Sequence, residues 1–335
     1  MMDYQPKNIL VTGGAGFIGC NFVRLMLARY SDIRIVNLDK LTYAGSTANL
    51  DNLPDESRHD FIQGDICDRN LLASLLVKHQ IDTIVHFAAE SHVDRSLTGP
   101  AEFMATNIIG TFTLLDAARD YWQQINGLDK TRCRFHHIST DEVYGSLGIE
   151  EPAFSEMSVY APNSPYSASK ASSDYLVRAW HHSYGLPVTT SNCSNNYGPY
   201  QNREKLIPTV IQACQQQIPI PLYGDGSNVR DWLFVDDHCA AIDAVVSRGR
   251  VGETYNIGGN NEYSNIEVCR VICRLMDQYH PSHAHHEKLI QSVSDRPGHD
   301  WRYAIDNTKI TSELGWQPCE TFESGLVKTL EWYCR

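Results

Sequence analysis

The sequence has little positive charge, no long apolar run and no closely paired cysteines, and each of these absences excludes a class of protein. It contains 28 Lys and Arg against 40 Asp and Glu, which gives a net charge of −12 at pH 7. A nucleic-acid binder needs a basic face for the phosphate backbone, so we expect no nucleic-acid partner. No apolar stretch is long enough to span a bilayer, and the polar segment 1–7 fits neither a signal peptide nor a transit peptide. These features predict a cytoplasmic protein without a membrane anchor.

The ten cysteines are scattered singly and include no CxxC pair, unlike those of small disulfide-rich domains. We expect reduced thiols, with Cys269 and Cys273 packed in the core because they lie four residues apart in a helical pattern. A second group suggests a metal site but lies in a polar segment with Pro281, which favours a surface loop; it comprises His280, His283, His285, His286 and Glu287. We therefore predict no metal centre.

Length and composition predict an α/β protein with two lobes. The 335 residues exceed one simple domain, and 42% hydrophobic with 20% charged residues is ordinary for a globular chain. Short β-rich runs alternate with helical patterns up to about residue 194, which predicts a Rossmann-like doubly wound parallel sheet. We assign residues 1–194 to this NAD-binding domain and residues 195–335 to a smaller mixed α/β substrate lobe. The boundary is soft, because strands and helices could cross back between the lobes.

Strands and helices in the first lobe are predicted from apolar periodicity. The strands lie at 9–11, 34–38, 59–62, 83–87, 135–139 and 188–191, and the helices at 17–29, 70–79, 106–121 and 166–184. Further helices are expected at 206–216, 236–247, 264–276 and 321–333.

A glycine-rich turn follows the first predicted strand. Gly13, Gly16 and Gly19 form a GxxGxxG pattern that opens into a helix, where backbone N–H groups approach a pyrophosphate without an intervening side chain. About twenty residues later, Asp39 ends the second strand, where a carboxylate accepts both adenosine ribose hydroxyls and repels a 2′-phosphate. We therefore predict NAD rather than NADP, although Lys40 could attract a phosphate.

Two later loops also suit a dinucleotide. Residues 64–66 follow the third strand and suit contact with the adenine edge, and residues 87–89 follow the fourth strand with two small side chains. Either loop alone would be unremarkable, so their value lies in following the glycine-rich turn.

A hydroxyl and two acids follow the fifth predicted strand, as Thr140, Asp141 and Glu142. Open α/β folds bind ligands at this carboxyl edge of the sheet, which favours a catalytic role over a solvated turn. Tyr166 and Lys170 then lie one turn apart at a helix start. An ammonium group near a phenol favours the phenolate, so we expect the pKa of Tyr166 to fall below about 10.

The order of these motifs resembles the extended short-chain dehydrogenase/reductase superfamily, and most closely its dTDP-glucose 4,6-dehydratase family. The finer resemblance lies in segments 39–45, 87–96, 140–145, 230–238 and 295–303 and extends from Asn8 to the carboxy terminus. Its spread over both predicted lobes makes it more specific than any single motif.

The resemblance implies a hydro-lyase that converts dTDP-glucose to dTDP-4-keto-6-deoxyglucose and water with tightly held NAD. Tyr166, held by Lys170 and helped by Thr140, would take the C4 hydroxyl proton while NAD accepts the C4 hydride. Glu142 would then remove the C5 proton and Asp141 would protonate the departing C6 hydroxyl, before the hydride returns to C6. The acid pair distinguishes a dehydratase from a simple dehydrogenase, since elimination needs both a base and an acid.

The resemblance also implies the binding residues. Those for NAD are Gly13, Gly16, Phe17, Ile18, Gly19, Asp39, Lys40, Leu41, Thr42, Asp65, Ile66, Phe87, Ala88, Ala89, Thr106, Tyr166, Lys170 and Asn196. Those for the nucleotide sugar are Ser91, Thr140, Asp141, Glu142, Asn195, Lys205, Leu206, Pro221, Tyr223, Arg230, Asn265, Arg296, His299 and Tyr303. Arginine suits a diphosphate clamp, but from the sequence alone Arg230 and Arg296 could equally be surface charges. The apolar run 219–223 could pack on thymine or be an ordinary strand.

Two other functions remain open at this point. A UDP-hexose 4-epimerase or another nucleotide-sugar enzyme shares the glycine turn and the YxxxK motif, although an epimerase does not need Asp141 and Glu142 for elimination. A non-catalytic NAD-bound scaffold or redox sensor would keep the fold, but such a protein should have lost some of these catalytic groups. The resemblance further suggests a homodimer, in which the helices at 106–121 and 166–184 could form a four-helix interface.

Overall fold

A seven-stranded parallel sheet forms the centre of the computed structural model, which describes residues 4–279, 281, 285–295 and 298–334. The strands of the described residues are β1 (Asn8–Thr12), β2 (Arg34–Asp39), β3 (His59–Gln63), β4 (Thr83–His86), β5 (Arg134–Thr140), β6 (Val188–Cys193), β7 (Asn195–Tyr197), β8 (Ile220–Tyr223), β9 (Val229–Phe234), β10 (Thr254–Ile257), β11 (Glu262–Ser264) and β12 (Ile290–Val293). The main sheet has the order β10-β6-β5-β4-β1-β2-β3, and all its strand pairs are parallel. The six predicted strands are confirmed, and β10 is a seventh that the sequence analysis missed.

Helices connect these strands and cover both faces of the main sheet. The α-helices are α1 (Phe17–Arg29), α2 (Arg69–Lys78), α3 (Val93–Thr98), α4 (Pro100–Phe103), α5 (Thr111–Asn126), α6 (Pro165–Tyr184), α7 (Leu206–Gln216), α8 (Val235–Arg248), α9 (Asn265–Tyr279), α10 (Thr308–Leu314) and α11 (Phe322–Tyr333). The helix predicted at 106–121 differs, because a π-helical segment, Met104–Gly110, precedes α5. Such widened turns are frequent at functional sites.

Alternate residues of β1 pack on opposite faces of the sheet, as the period of a strand requires. Leu10 lies in one apolar core with Trp122 of α5 and the buried leucines of α2. Ile9 and Val11 lie in another core with Phe22 of α1 and with α8. The predicted doubly wound arrangement is therefore confirmed.

The second lobe is smaller and mixed, as predicted. Its sheets are β11-β9-β7, with one antiparallel and one parallel pair, and the parallel pair β12-β8. A third core joins α7, α9 and α11, and it contains Cys269 and Cys273 as expected. Because α8 and β10 return to the first lobe, the division at residue 195 stays a prediction about domains.

The central sheet reverses its strand order between β1 and β4, and the turns after these two strands meet there. Gly13 has a φ of +73°, and a Cβ at this position would lie 2.7 Å from the backbone nitrogen of Ala88. Glycine is needed because a side chain would collide with the neighbouring turn. Ligands of open α/β sheets bind at such a reversal.

Two expectations outside the sheet concern membranes and metals. Within the described ranges, no helix is both long enough and apolar enough to cross a membrane. His285 and His286 contact the carboxylate of Asp277 through their Nδ1 atoms at 2.9 and 2.6 Å, while His280 and His283 lie outside the described residues.

Candidate active site

A cleft of about 830 Å³ lies at the carboxyl edge of the main sheet and extends along the second lobe. It brings together all the predicted site residues that the structure describes, with one exception. Leu41 does not line the cleft, because its backbone takes a φ of +58° and its N–H donates to Asp39 Oδ1 at 2.8 Å. Arg296 lies outside the described residues.

Asp39 is held beside the glycine turn by the backbone. Its two carboxylate oxygens accept hydrogen bonds from Ala15 N at 2.9 Å and from Leu41 N at 2.8 Å. Each oxygen retains a lone pair, so the carboxylate suits the two hydroxyls of a ribose. Lys40, which could have attracted a 2′-phosphate, instead contacts Asp65 Oδ2 at 2.8 Å. These residues fit NAD.

The acid pair begins a short 3-10 turn, Asp141–Tyr144, directly after β5. The Thr140 hydroxyl accepts from Glu142 N and donates to Asp141 Oδ1, both at 3.3 Å. Asp141 is buried, whereas Glu142 is only half-buried. Burial, with help from the charges of Glu142 and Asp231, raises the pKa of Asp141 well above its ordinary value. The two carboxyl groups therefore have different environments, which is how neighbouring acids divide acid and base roles.

Tyr166 and Lys170 project from the first turns of α6, as predicted. Ser164 caps the helix, since its side chain accepts from Ser167 N in a capping box, and the helix begins at Pro165. Both functional side chains are buried, and Lys170 Nζ donates to the Ile138 carbonyl at 2.7 Å.

The expected lowering of the Tyr166 pKa is wrong for this structure. Burial raises its pKa well above the ordinary value, and the charges of Glu142 and Asp141 raise it further. The hydrogen bond between Tyr166 and Thr140 lowers it but does not outweigh burial. The sequence could not predict this direction because it depends on how much solvent the folded cleft excludes.

Arg230 reaches the cleft from β9 and is buried rather than exposed, so its alternative assignment as a surface charge is wrong. Its guanidinium donates to the carbonyls of Val229 at 2.7 Å and Asp300 at 3.0 Å, and lies 4.3 Å from the Tyr303 ring centroid. Lys205, before α7, donates to the Ser91 carbonyl at 3.3 Å. Both predicted cations therefore line the cleft.

One end of the cleft is lined by aromatic and apolar groups. Pro221 and Tyr223 lie on β8, which the sequence analysis left open as an ordinary strand, and both line the cleft. The Tyr223 and His299 rings meet edge to face with their centroids 6.4 Å apart.

Sequence reasoning missed several residues of the cleft rim. The Arg95 guanidinium lies 3.8 Å from the Tyr43 ring centroid, and its Nη2 contacts Glu204 Oε1 at 2.7 Å. Tyr43 and Arg95 both lie inside motifs 39–45 and 87–96, so those motifs contained the signal. Asn107, buried in the π-helical segment, does not itself line the cleft but holds Glu90, which does: it accepts from Glu90 N at 2.8 Å and donates to Ser169 Oγ at 2.8 Å. No local pattern predicted that segment.

Comparison with known proteins agrees with this geometry. A dTDP-glucose 4,6-dehydratase from Xanthomonas campestris pv. campestris (strain B100) is 58% identical over 326 residues, which cover 97% of this chain and 92% of the relative. The chain belongs to the dTDP-glucose 4,6-dehydratase family. The broader protein-family model described as GDP-mannose 4,6 dehydratase matches residues 10–329.

Solved structures place this dehydratase family beside related epimerases. A dTDP-glucose 4,6-dehydratase from Streptomyces venezuelae, crystallised with NAD, is 47% identical with a TM-score of 0.88, and the match covers 98% of this chain and 97% of that one. A UDP-glucose 4-epimerase from Thermotoga maritima is 26% identical with a TM-score of 0.85, and covers 98% of both chains. The two enzyme classes share the fold, so the fold alone does not decide between their reactions.

Proposed function

We propose that this chain is an NAD-dependent dTDP-glucose 4,6-dehydratase that releases dTDP-4-keto-6-deoxyglucose and water. The observation that carries this proposal is the pair Asp141 and Glu142, one buried and one half-buried, in the same cleft as Tyr166. A dehydration needs a proton donor and a proton acceptor at neighbouring carbons, and this pair supplies both. The names of the similar proteins support the same substrate.

The first step removes one hydrogen from C4 of the sugar as a hydride and one from the C4 hydroxyl group as a proton. Tyr166 accepts the hydroxyl proton; because burial favours its neutral phenol, this step depends on Lys170 to stabilise the phenolate. NAD bound in this cleft would supply the oxidant for C4 and later the reductant for C6, so it would not be consumed. The new C4 ketone acidifies the C5 proton because the resulting carbanion is delocalised into the carbonyl.

Elimination follows between C5 and C6. Glu142 takes the C5 proton, the electron pair left at C5 forms the C5–C6 double bond, and the C6–oxygen bond breaks. Asp141 donates its proton to the departing hydroxyl, which leaves as water. When a hydride has returned to C6, Glu142 gives its proton back to C5, and the 4-keto-6-deoxy sugar is complete.

After each turnover, two side chains must return to their starting protonation states. Tyr166 has gained a proton, Asp141 has lost one, and Glu142 is unchanged. The Thr140 hydroxyl contacts both Tyr166 and Asp141, donating to the latter at 3.3 Å. Thr140 therefore has the position to pass the proton from the phenol to the carboxylate before the next substrate binds.

For the nucleotide, we assign Lys205 and Arg230 to the diphosphate and the end lined by Pro221 and Tyr223 to the base. The diphosphate is doubly anionic, and these two cations line the cleft together. The apolar end suits the thymine methyl group.

A panel of dTDP-, UDP-, CDP- and GDP-glucose tests the proposal directly. Products are identified by mass and by the alkaline absorbance of a 4-keto sugar. We expect loss of one water from dTDP-glucose and a kcat/KM advantage over UDP-glucose of about 10- to 200-fold, the range that one methyl group in an apolar pocket supplies. Equal consumption of both sugars would remove the thymidine assignment, and interconversion of C4 epimers without loss of water would indicate an epimerase. Absence of turnover on every sugar would favour a non-catalytic NAD-bound scaffold.

We also infer a homodimer formed through α6 and the helical segment around α5. Ile109 is 54% exposed and Tyr175 is 58% exposed, although both are large and apolar or aromatic. Size-exclusion chromatography with light scattering should show a dimer that Ile109→Glu weakens. Val77→Glu, at a 62% exposed position on α2, is the matched control and should leave the mass unchanged.

The cytoplasm is the proposed location. The cysteines are free thiols and most of them are buried, which suits a reducing compartment. Fractionation of cells expressing the full chain tests this location.

A further inference from the structure

Lys170 is buried, and a buried ammonium group needs a nearby negative charge to stay protonated. Its own hydrogen bond goes to a neutral acceptor, the Ile138 carbonyl. Asp174 lies one turn further along α6, on the same helix face, and is also buried. No step of the proposed reaction uses this carboxylate.

The Asp174 carboxylate is fixed by three elements of the first lobe. Its Oδ2 accepts from Ser139 Oγ of β5 at 2.8 Å and from Tyr160 Oη of loop 145–164 at 2.9 Å. Asn192 of β6 donates to the same Tyr160 oxygen at 3.1 Å, which directs the phenol hydrogen towards Asp174. The carboxylate therefore cannot turn away from α6.

His137 is the remaining close neighbour of Asp174. Its Nε2 lies 3.1 Å from Asp174 Oδ1, yet neither atom completes a well-aligned hydrogen bond there. The contact is short but poorly directed, and burial lowers the pKa of His137 well below its ordinary value. Burial therefore favours the neutral imidazole of His137, which carries no charge to balance Asp174.

Burial also shifts the other titratable groups that face Lys170 and Asp174 towards their neutral forms. Burial lowers the pKa of His86, raises the pKa of the Cys193 thiol to about 12, and raises the pKa values of Tyr144 and Tyr160. The groups facing the pair, from β4, β5, the 3-10 turn, loop 145–164 and β6, are His86, His137, Tyr144, Tyr160 and Cys193. The carboxylate of Asp174 and the ammonium of Lys170 are thus each other's charge partner within this buried set.

We propose that Asp174 is a positioning residue of the reaction, whose carboxylate keeps the buried Lys170 side chain protonated so that Lys170 can stabilise the Tyr166 phenolate. This role rests on the proposed function. Lys170 Nζ and the Asp174 carboxylate form no direct ion pair; their charges act through space beside Ile138 and Ser139 of β5, where exclusion of water makes charge effects stronger than at the surface.

The neighbours of Lys170 determine the direction in which its pKa shifts. Burial lowers the pKa of Lys170, and the Asp174 charge opposes that decrease. Lys170 in turn opposes the effect of burial on Asp174, whose pKa is raised to about 6. Above that pH Asp174 is ionised and holds Lys170 charged. Removing the carboxylate charge should therefore make Lys170 lose its proton at a lower pH, while at low pH Lys170 stays charged without help.

The test is rapid mixing of dTDP-glucose with the NAD-loaded enzyme, followed by the absorbance of reduced nicotinamide from pH 6 to pH 10. This signal reports C4 oxidation, which does not use Asp141. The alkaline limb is the part of the pH profile in which the rate falls as pH rises. In Asp174→Asn we expect this limb to begin at least one pH unit lower, so that at alkaline pH the rate is about tenfold or more below that of the wild type. Asp174→Glu keeps the carboxylate charge and should return the alkaline limb most of the way to its wild-type pH.

Two controls separate charge from structure. Tyr160→Phe removes one hydrogen bond to Asp174 but leaves its carboxylate and the bond from Ser139, and should move the limb much less than Asp174→Asn does. Asp243→Asn removes another buried carboxylate, which contacts Arg29 on the far face of the sheet, and should not move the limb. An Asp174→Asn limb that coincides with the wild-type limb, or a Tyr160→Phe limb that moves as far, would overturn the proposal.

A double-mutant cycle of Asp174→Asn and Lys170→Met tests the same charge pair without any substrate. The thermal unfolding temperatures of the wild type, the two single variants and the double variant are measured across pH without nucleotide sugar. We expect clear non-additivity, since each group is the partner of the other. Additive effects would overturn the role of Asp174 even if no sugar proves to be a substrate, whereas a wild type that oxidises no sugar counts against the proposed function alone.

Discussion

The Nζ atom of Lys40 lies 2.8 Å from Asp65 Oδ2, so the cation next to Asp39, the residue predicted to bind the ribose, is already paired. Lys40 raised the question of NADP in the sequence, because an unpaired lysine at this position attracts a 2′-phosphate. The structure gives that lysine a different anion, from the loop after β3. The choice between NAD and NADP can therefore be tested at Asp39, Lys40 and Asp65.

We expect Asp39→Asn to weaken NAD binding by about tenfold or more, since a hydrogen bond to a charged group contributes about 1.5–3 kcal/mol. The ratio of NADP to NAD affinity should rise, because the repulsion of the 2′-phosphate is lost. Asp65→Asn, which releases Lys40, should raise NADP affinity further in the double variant. Calorimetric titration of both cofactors measures the ratio, and an unchanged ratio in the double variant would contradict this account.

Replacing Glu142 separates oxidation from dehydration. In Glu142→Gln we expect C4 oxidation to persist while loss of water slows by about 100-fold or more, a typical contribution of a general base. Absorbance of reduced nicotinamide should then accumulate after mixing with dTDP-glucose. Glu150→Gln, at an exposed position nearby, is the control and should behave as wild type. Normal dehydration by Glu142→Gln would remove Glu142 from the C5 base role.

Replacing Tyr166 should separate chemistry from binding. Tyr166→Phe is expected to lower kcat by about 100-fold or more with little change in dTDP-glucose affinity, because the phenol acts as a base in the first step. Tyr279→Phe, at an exposed position on α9 that does not line the cleft, should leave kcat unchanged. Rapid reduction of NAD by Tyr166→Phe in single-turnover mixing would assign the base to another group.

Asp141 should lower the stability of the protein at neutral pH. Its pKa is raised in the folded state, chiefly by burial, so its favourable contribution is complete below its unfolded value of 3.8 and is lost as pH rises through the folded value. Asp141→Asn imitates the protonated carboxyl and should abolish turnover yet raise the thermal unfolding temperature at pH 7.

The gain from Asp141→Asn should shrink as the pH falls towards 4, because the wild-type carboxyl then becomes neutral in both states. Calorimetry of both proteins between pH 4 and pH 8 measures this difference. A variant that is less stable than the wild type at pH 7, or a gain that does not depend on pH, would contradict the assignment of Asp141 as a buried, protonated acid.

The amino-acid sequence by itself determined the parts of the molecule that depend on neighbouring residues. The turn at Gly13, the acids after β5 and the spacing of Tyr166 and Lys170 are local patterns at strand ends and helix starts. In a parallel sheet the carboxyl ends of the strands lie at one edge. For that reason nearly every described residue that was predicted for the site does line one cleft, and six of the seven central strands were found.

Only the tertiary structure decided the features that depend on contacts between distant segments or on the exclusion of water. β10 joins the sheet by pairing with β6, although about sixty residues separate them, and no local pattern records that pairing. Burial also reversed the expected direction of the Tyr166 pKa and placed Arg230 inside the cleft. The role proposed for Asp174 has the same origin, because its charge matters only where folding has removed water from around Lys170.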